Sequence, residues 1–213
     1  MKSYVITIKH LPQSVDSAQR CIDSMPEYNV QMFGAITPAD EPITIAKKEG
    51  VPTDGFKEKF SYYENCLSAF MSHYSLWKKC VEDNEEYQIF EHDAVCVDQI
   101  PKLINYQGCI SLGQPSYGKY IQPSSLGVNP LTSKKYFPGA HAYRLKPKGA
   151  RKLIESAQLY ARPTDVFLNL DLFPWLEEYY PWPVVAKDSF TTIQRQEGCL
   201  AKHNYGENYG ILR

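Results

Sequence analysis

The stretch YQIFEHDAVC, residues 87–96, decides how the rest of the chain is read. Ile89 and Phe90 close a short apolar run, and Glu91, His92 and Asp93 follow it without a spacer. Such a run reads as a buried strand. Carboxylates and an imidazole at its end are costly to desolvate unless something compensates them. In an extended segment Glu91 and Asp93 point to one side and His92 to the other. Two neighbouring carboxylates repel unless one is protonated or a cation lies between them. A hard divalent ion, Mg²⁺ or Mn²⁺, meets that need, with a diphosphate supplying further oxygens. A solvated loop after the strand is the plainer alternative.

Working outward, YVITI (4–8) predicts a first strand, SVDSAQRCIDSM (14–25) a helix and NVQMFGAI (29–36) a second strand. Residues 37–59 read as a long loop of the kind that often carries function. The clearest helix is 61–80, with Ser61 and Glu64 as a capping box and Cys66, Ala69, Phe70, His73, Trp77 and Cys80 on one stripe. Downstream, 108–113, 140–145 and 182–188 predict strands, and 147–160 a helix with Pro147 in its first turn. Residues 163–179 read as short helices broken at Pro174, and 114–137 as a connection rich in tyrosine, proline and glycine. The basic run from Arg144 to Lys152 reads as a solvated helix face. This alternation implies an α/β fold: a mostly parallel sheet flanked by helices, one domain over 1–213 with an irregular tail from about 195. Ligands of such sheets gather beyond the carboxyl ends of strands, where Glu91–Asp93 fall.

Bulk properties narrow the function. Hydrophobic residues make up 43% of the 213, enough for an ordinary core. A net charge of −1, from 23 basic and 24 acidic residues, argues against a protein that coats nucleic acid. The six cysteines form no C-x-x-C pair, which favours reduced thiols over a zinc ribbon. The N-terminus has no signal-peptide pattern, and no stretch approaches the roughly 20 apolar residues of a membrane span, so a cytoplasmic protein is expected.

Four stretches in order, ENCLSAFMSHYSLWKKC, YQIFEHDAVC, GAHAYRLKPKGARKLIES and RPTDVFLN, together with YVITI, resemble glycosyltransferase family 25 over about residues 3–195. That family includes lipooligosaccharide and collagen-modifying galactosyltransferases. The chain departs from its pattern at Asn65, where the family has glycine, and at His92, where it has an acid. The family's Arg-Asp-Arg cluster is missing, which leaves Arg20 as the nearby donor-binding candidate.

The resemblance implies a GT-A-like fold. It implies transfer of a hexose, galactose or glucose, from a nucleotide sugar, UDP-linked above all, to an acceptor hydroxyl with inversion. Asp93 would ligate the metal on the diphosphate, with Glu91 assisting or reaching the ribose and His203 completing the shell. His92, His73 and Arg20 would lie on the donor side. His141 would face the acceptor, with the tyrosines of 106–143 lining its site. Asp165 matches the position of a base, and also that of a helix N-cap. His73 also reads as a core histidine, His141 as structural and His203 as exposed. The acceptor would be a glycan, a lipid-linked saccharide or another hydroxyl, with modified DNA left open. Two other classes remain: a non-catalytic carbohydrate- or nucleotide-binding module, and a metal-dependent phosphohydrolase built on His92 and Asp93.

Overall fold

The YVITI run forms β1 (Lys2–Thr7), and the YQIFE run forms β3 (Tyr87–Glu91) beside it. The computed structural model describes residues 1–59, 61–187, 190–195 and 210–212. Between those strands lie α1 (Pro12–Asp23), β2 (Val30–Gly34), α2 (Pro42–Lys48) and α3 (Tyr63–Asp83). After them come β4 (Ala94–Cys96), β5 (Cys109–Ser111), β6 (Gly127–Pro130), β7 (Ala142–Leu145), α4 (Pro147–Leu159), α5 (Thr164–Phe167), β8 (Glu177–Tyr180) and β9 (Val184–Ala186). The short strands β10 (Phe190–Thr191) and β11 (Gly210–Ile211) pair with each other.

A seven-stranded sheet runs in the order β2-β1-β3-β7-β5-β8-β6. Strands β1, β2, β3, β5 and β8 point one way, and β7 and β6 the other. The expected α/β class with a mostly parallel sheet is therefore present. The reversal of β7 has a simple cause. No helix lies between β5 and β7, and only an antiparallel strand can be reached without a crossover.

Strand alternation sorts side chains between the two faces. Tyr4, Ile6, Tyr87, Ile89, Tyr143 and Leu145 pack into the core beneath α3, while Val5, Phe90 and Ala142 pack beneath α1. Helix α3 is buried well beyond the predicted stripe. Leu67, Met71, Tyr74 and Leu76 are enclosed along with Phe70 and Trp77, because α2, α4 and α5 cover the helix side facing away from the sheet. Each such large side chain contributes about 2–3 kcal/mol of burial.

Several expectations need correction. Residues 37–59 are not one loop: they contain α2, whose Ala46 is buried, and Val51 and Phe56 also enter the core. The Ser61–Glu64 capping box does not form. Tyr62 is the N-cap without a side-chain bond, because its N–H goes to the Ile193 carbonyl while Ser61 pairs with Gln194. The 163–179 stretch yields one short helix and then strand β8, in which alternation lets Glu178 turn inward. Strand β9 leaves the main sheet to pair with β4. Arg144 belongs to no solvated face: it is fully buried on β7. Among the described residues no helix is long and apolar enough to cross a membrane.

Candidate active site

Glu91 is the last residue of β3 and lies on the α3 face, in alternation with Tyr87 and Ile89. There its Oε1 meets His73 Nε2 at 3.0 Å. Behind it, His73 Nδ1 lies 2.8 Å from the Tyr143 hydroxyl, which accepts the Trp77 indole N–H at 2.9 Å. The Ile89–Tyr143 register places that hydroxyl beside α3. His73 is enclosed, and burial pushes its imidazole down to about 3, so it is neutral at physiological pH.

The chain turns at His92 and Asp93, directly after β3 ends at Glu91. Glu91 meets α3, and Asp93 is near enough to α1 that its charge, after burial, helps push the Cys21 thiol up to about 12. His92 stacks flat on Phe190, with ring centroids 5.1 Å apart and planes at 5°. Its Nδ1 lies 3.3 Å from Ser14 Oγ, which itself accepts the Ile8 N–H.

Two clefts of about 510 Å³ each meet at Glu91 and His92. The first lies beyond the carboxyl ends of β1 and β2, with Ile6, Ile8, Leu11, Ala35, Ile36 and Pro38 in its mostly apolar wall. The second holds Asp93, Tyr117, Lys134, Tyr136 and Asp165. Ala69, Thr192 and Ile193 line both. The strap at 190–195 is tied down by Asn65, whose Nδ2 donates to the Thr192 carbonyl at 2.8 Å. The asparagine that breaks the family pattern thus has a structural task.

Asp165 stands in the first turn of α5, but the N-cap position is Pro163. Its Oδ1 accepts the Val166 N–H at 2.9 Å, Tyr117 donates its hydroxyl to Oδ2, and the Gly139 N–H is a further donor. Burial outweighs these bonds and raises the carboxyl above its ordinary range, a property suited to a base. Lys134 Nζ holds the facing wall. It donates to the Tyr117 carbonyl at 2.8 Å and the Tyr136 hydroxyl at 3.3 Å, and lies 5.1 and 5.2 Å from the two ring centres.

The clefts bring together Glu91, His92, Asp93 and Asp165, with His73 at the wall of the first. Two candidates line neither cleft. Arg20 is exposed on α1 and donates to the Lys187 carbonyl, lining neither cleft. His141 is buried between glycines, where a Cβ on Gly113 would come within 2.5 Å of Nε2 and one on Gly139 within 3.1 Å of Nδ1. Its carbonyl accepts the Glu91 N–H at 2.9 Å. His203 lies outside the described residues.

Among the described residues no group of three or more His, Cys, Asp or Glu side chains is arranged to hold a metal ion. Glu91 and Asp93 do reach the same cleft. Two carboxylates suit a hard ion that draws its remaining ligands from water and a substrate phosphate. Tyr143, one of the tyrosines of 106–143 expected at the acceptor site, instead stands fully buried behind His73, as the parity of β3 and β7 dictates. Tyr117 and Tyr136 were signalled only by the abundance of tyrosine.

A family model described as glycosyltransferase family 25 (LPS biosynthesis protein) matches residues 1–114. No curated protein matches the chain at a significant level. Among solved structures, the galactosyltransferase LgtC in complex with donor and acceptor sugar analogues aligns with a TM-score of 0.46 at 9% identity, over 88% of this chain and 87% of that one. The matched segment carries β1 through β5, with His73, Glu91 and Asp93 on it, and on that match over more than half its length the chain belongs to glycosyltransferase family 25.

Proposed function

We propose that this GT-A-like protein moves a hexose, galactose or glucose, from a UDP-sugar to an acceptor hydroxyl with inversion. The observation that carries the reading is the meeting of two equal clefts at Glu91 and His92, with Asp165 in the second.

The apolar wall of the first cleft suits the faces of a nucleobase. Glu91, at the junction, accepts a hydroxyl of the ribose or sugar. When bound, the Mg²⁺ or Mn²⁺ that Glu91 and Asp93 would hold supplies positive charge to the departing diphosphate. The rings of Tyr117 and Tyr136 offer faces to an acceptor saccharide in the second cleft. Asp165 takes the acceptor proton as that oxygen bonds to the anomeric carbon. The bond to the diphosphate oxygen breaks, and its electron pair leaves with the diphosphate.

A thermal-shift panel of nucleotide sugars, with and without Mn²⁺, tests the reading on wild-type protein and Asp93→Ala. Stabilisation by one UDP-sugar that needs the metal and vanishes in the variant supports it. Equal shifts in both proteins, or none with any donor, would end it. Phosphate release from simple esters would instead favour a hydrolase.

A further inference from the structure

We infer that Tyr143 and His73 are positioning residues that act through Glu91, presenting its carboxylate to the donor in one orientation and as an acceptor only. This rests on the placement of Glu91 on the donor side proposed above.

The hydrogen-bond chain admits one consistent direction. An indole N–H can only donate, so the Tyr143 oxygen accepts from Trp77 at 2.9 Å. Glu91 Oε1, 3.0 Å from His73 Nε2, can only accept as a carboxylate, so the neutral ring carries its proton on Nε2. Nδ1 then accepts the tyrosine proton, 2.8 Å away. The opposite tautomer would set the Nε2 lone pair against carboxylate lone pairs. His73, Tyr143 and Trp77 are all nearly or fully buried, so water does not compete for the bonds among these three.

Two consequences follow. The Glu91 carboxylate is steered about the Oε1 contact, and its role is to receive hydrogen bonds or a cation. His73 cannot serve as the base, because its one lone pair already holds the tyrosine proton. Proton acceptance is then left to Asp165, the base proposed above.

Two measurements test this. Long-range proton–nitrogen NMR of the wild-type protein at pH 7 reads the His73 tautomer directly. The expected signature is a protonated Nε2 beside an unprotonated Nδ1; a proton on Nδ1 overturns the inference. A kinetic double-mutant cycle reads the coupling. Tyr143→Phe should raise the donor KM about 10-fold or more with a smaller change in kcat, in line with outer partners of binding groups. On a Glu91→Gln background the same change should add less than about twofold. Equal effects on both backgrounds, or a kinetically silent Tyr143→Phe, overturn it. If that variant does not fold, the wild-type tautomer decides alone. Failure of the wild type to transfer any sugar would sink the proposed reaction and leave the tautomer readable.

Discussion

His73 on α3 and Glu91 at the end of β3, 18 residues apart in the chain, are joined by a 3.0 Å hydrogen bond between Nε2 and Oε1. The bond connects the most buried helix to the point where the two clefts meet. It ties a core histidine to a cleft carboxylate, so core packing and site geometry share one side chain.

That histidine makes stability depend on pH. Its folded-state value near 3 lies below the unfolded value of about 6.5, so the unfolded chain binds the extra proton between them. The stabilising contribution is complete above pH 6.5 and is lost as pH falls toward 3. Urea unfolding of metal-free protein should show His73→Gln with a shallower slope of stability against pH in that window. The difference should approach one proton, about 1.4 kcal/mol per pH unit. Parallel slopes would refute it.

Asp165 carries the opposite sign, because burial raises its carboxyl. Its protonated form is favoured on folding, so its contribution is present at low pH and lost as pH rises through the raised value. Asp165→Asn should therefore unfold at or above the wild-type Tm at pH 7, with the gap shrinking on acidification. Transfer by the same variant should fall about 10²–10⁴-fold in kcat. A variant that keeps its activity removes Asp165 as the base.

Ala69 is half-exposed on α3 and lines both clefts. Ala69→Leu keeps a good helix former and fills the junction. Donor affinity should drop about 10-fold or more while Tm moves by little, read by calorimetric titration beside a melt. Unchanged affinity would place the donor elsewhere.

Glu178 is fully buried and gathers the N–H groups of Thr132 and Ser133 at 2.7 Å and the Trp182 indole at 3.1 Å. It anchors the segment that presents Lys134 and Tyr136 to the second cleft. Glu178→Ala leaves those donors unpaired, at about 1–3 kcal/mol each. Urea unfolding should register the loss, and the acceptor KM should rise more than the donor KM.

Arg144 is enclosed with neutral partners: Gln88 Oε1 at 2.6 Å, the Tyr28 hydroxyl at 3.2 Å and the Lys102 carbonyl at 3.3 Å. It pins the 97–107 connection against the sheet. Arg144→Ala removes its volume and strips these acceptors, so a loss of about 3 kcal/mol or more is expected in urea unfolding. Arg144→Met, which fills the space, should cost less.

Local pattern was legible where burial has a simple period. The runs at 4–8 and 87–90 became β1 and β3, and the spacing in 61–80 became α3, because apolar residues at strand or helix period bury in one way. Glu91, Asp93 and Asp165 were legible as cleft acids because each follows or opens an apolar element at the exposed end of the sheet. The capping box was not predictable in the same way: Ser61 and Tyr62 had backbone bonds to make with the strap at 190–195, and that partner lies far off in the chain.

Composition and periodicity alone settled an α/β chain with acids at the end of its third strand, since hydrophobic period and desolvation cost act over a few neighbours. The folded arrangement chose the rest: β7 reversed, Arg20 and His141 kept out of the clefts, Arg144 buried, and His73 turned from a core residue into the partner of Glu91. Those outcomes depend on strand register and on hydrogen bonds between residues distant in the chain, and such pairings exist only once the whole sheet has closed around α3.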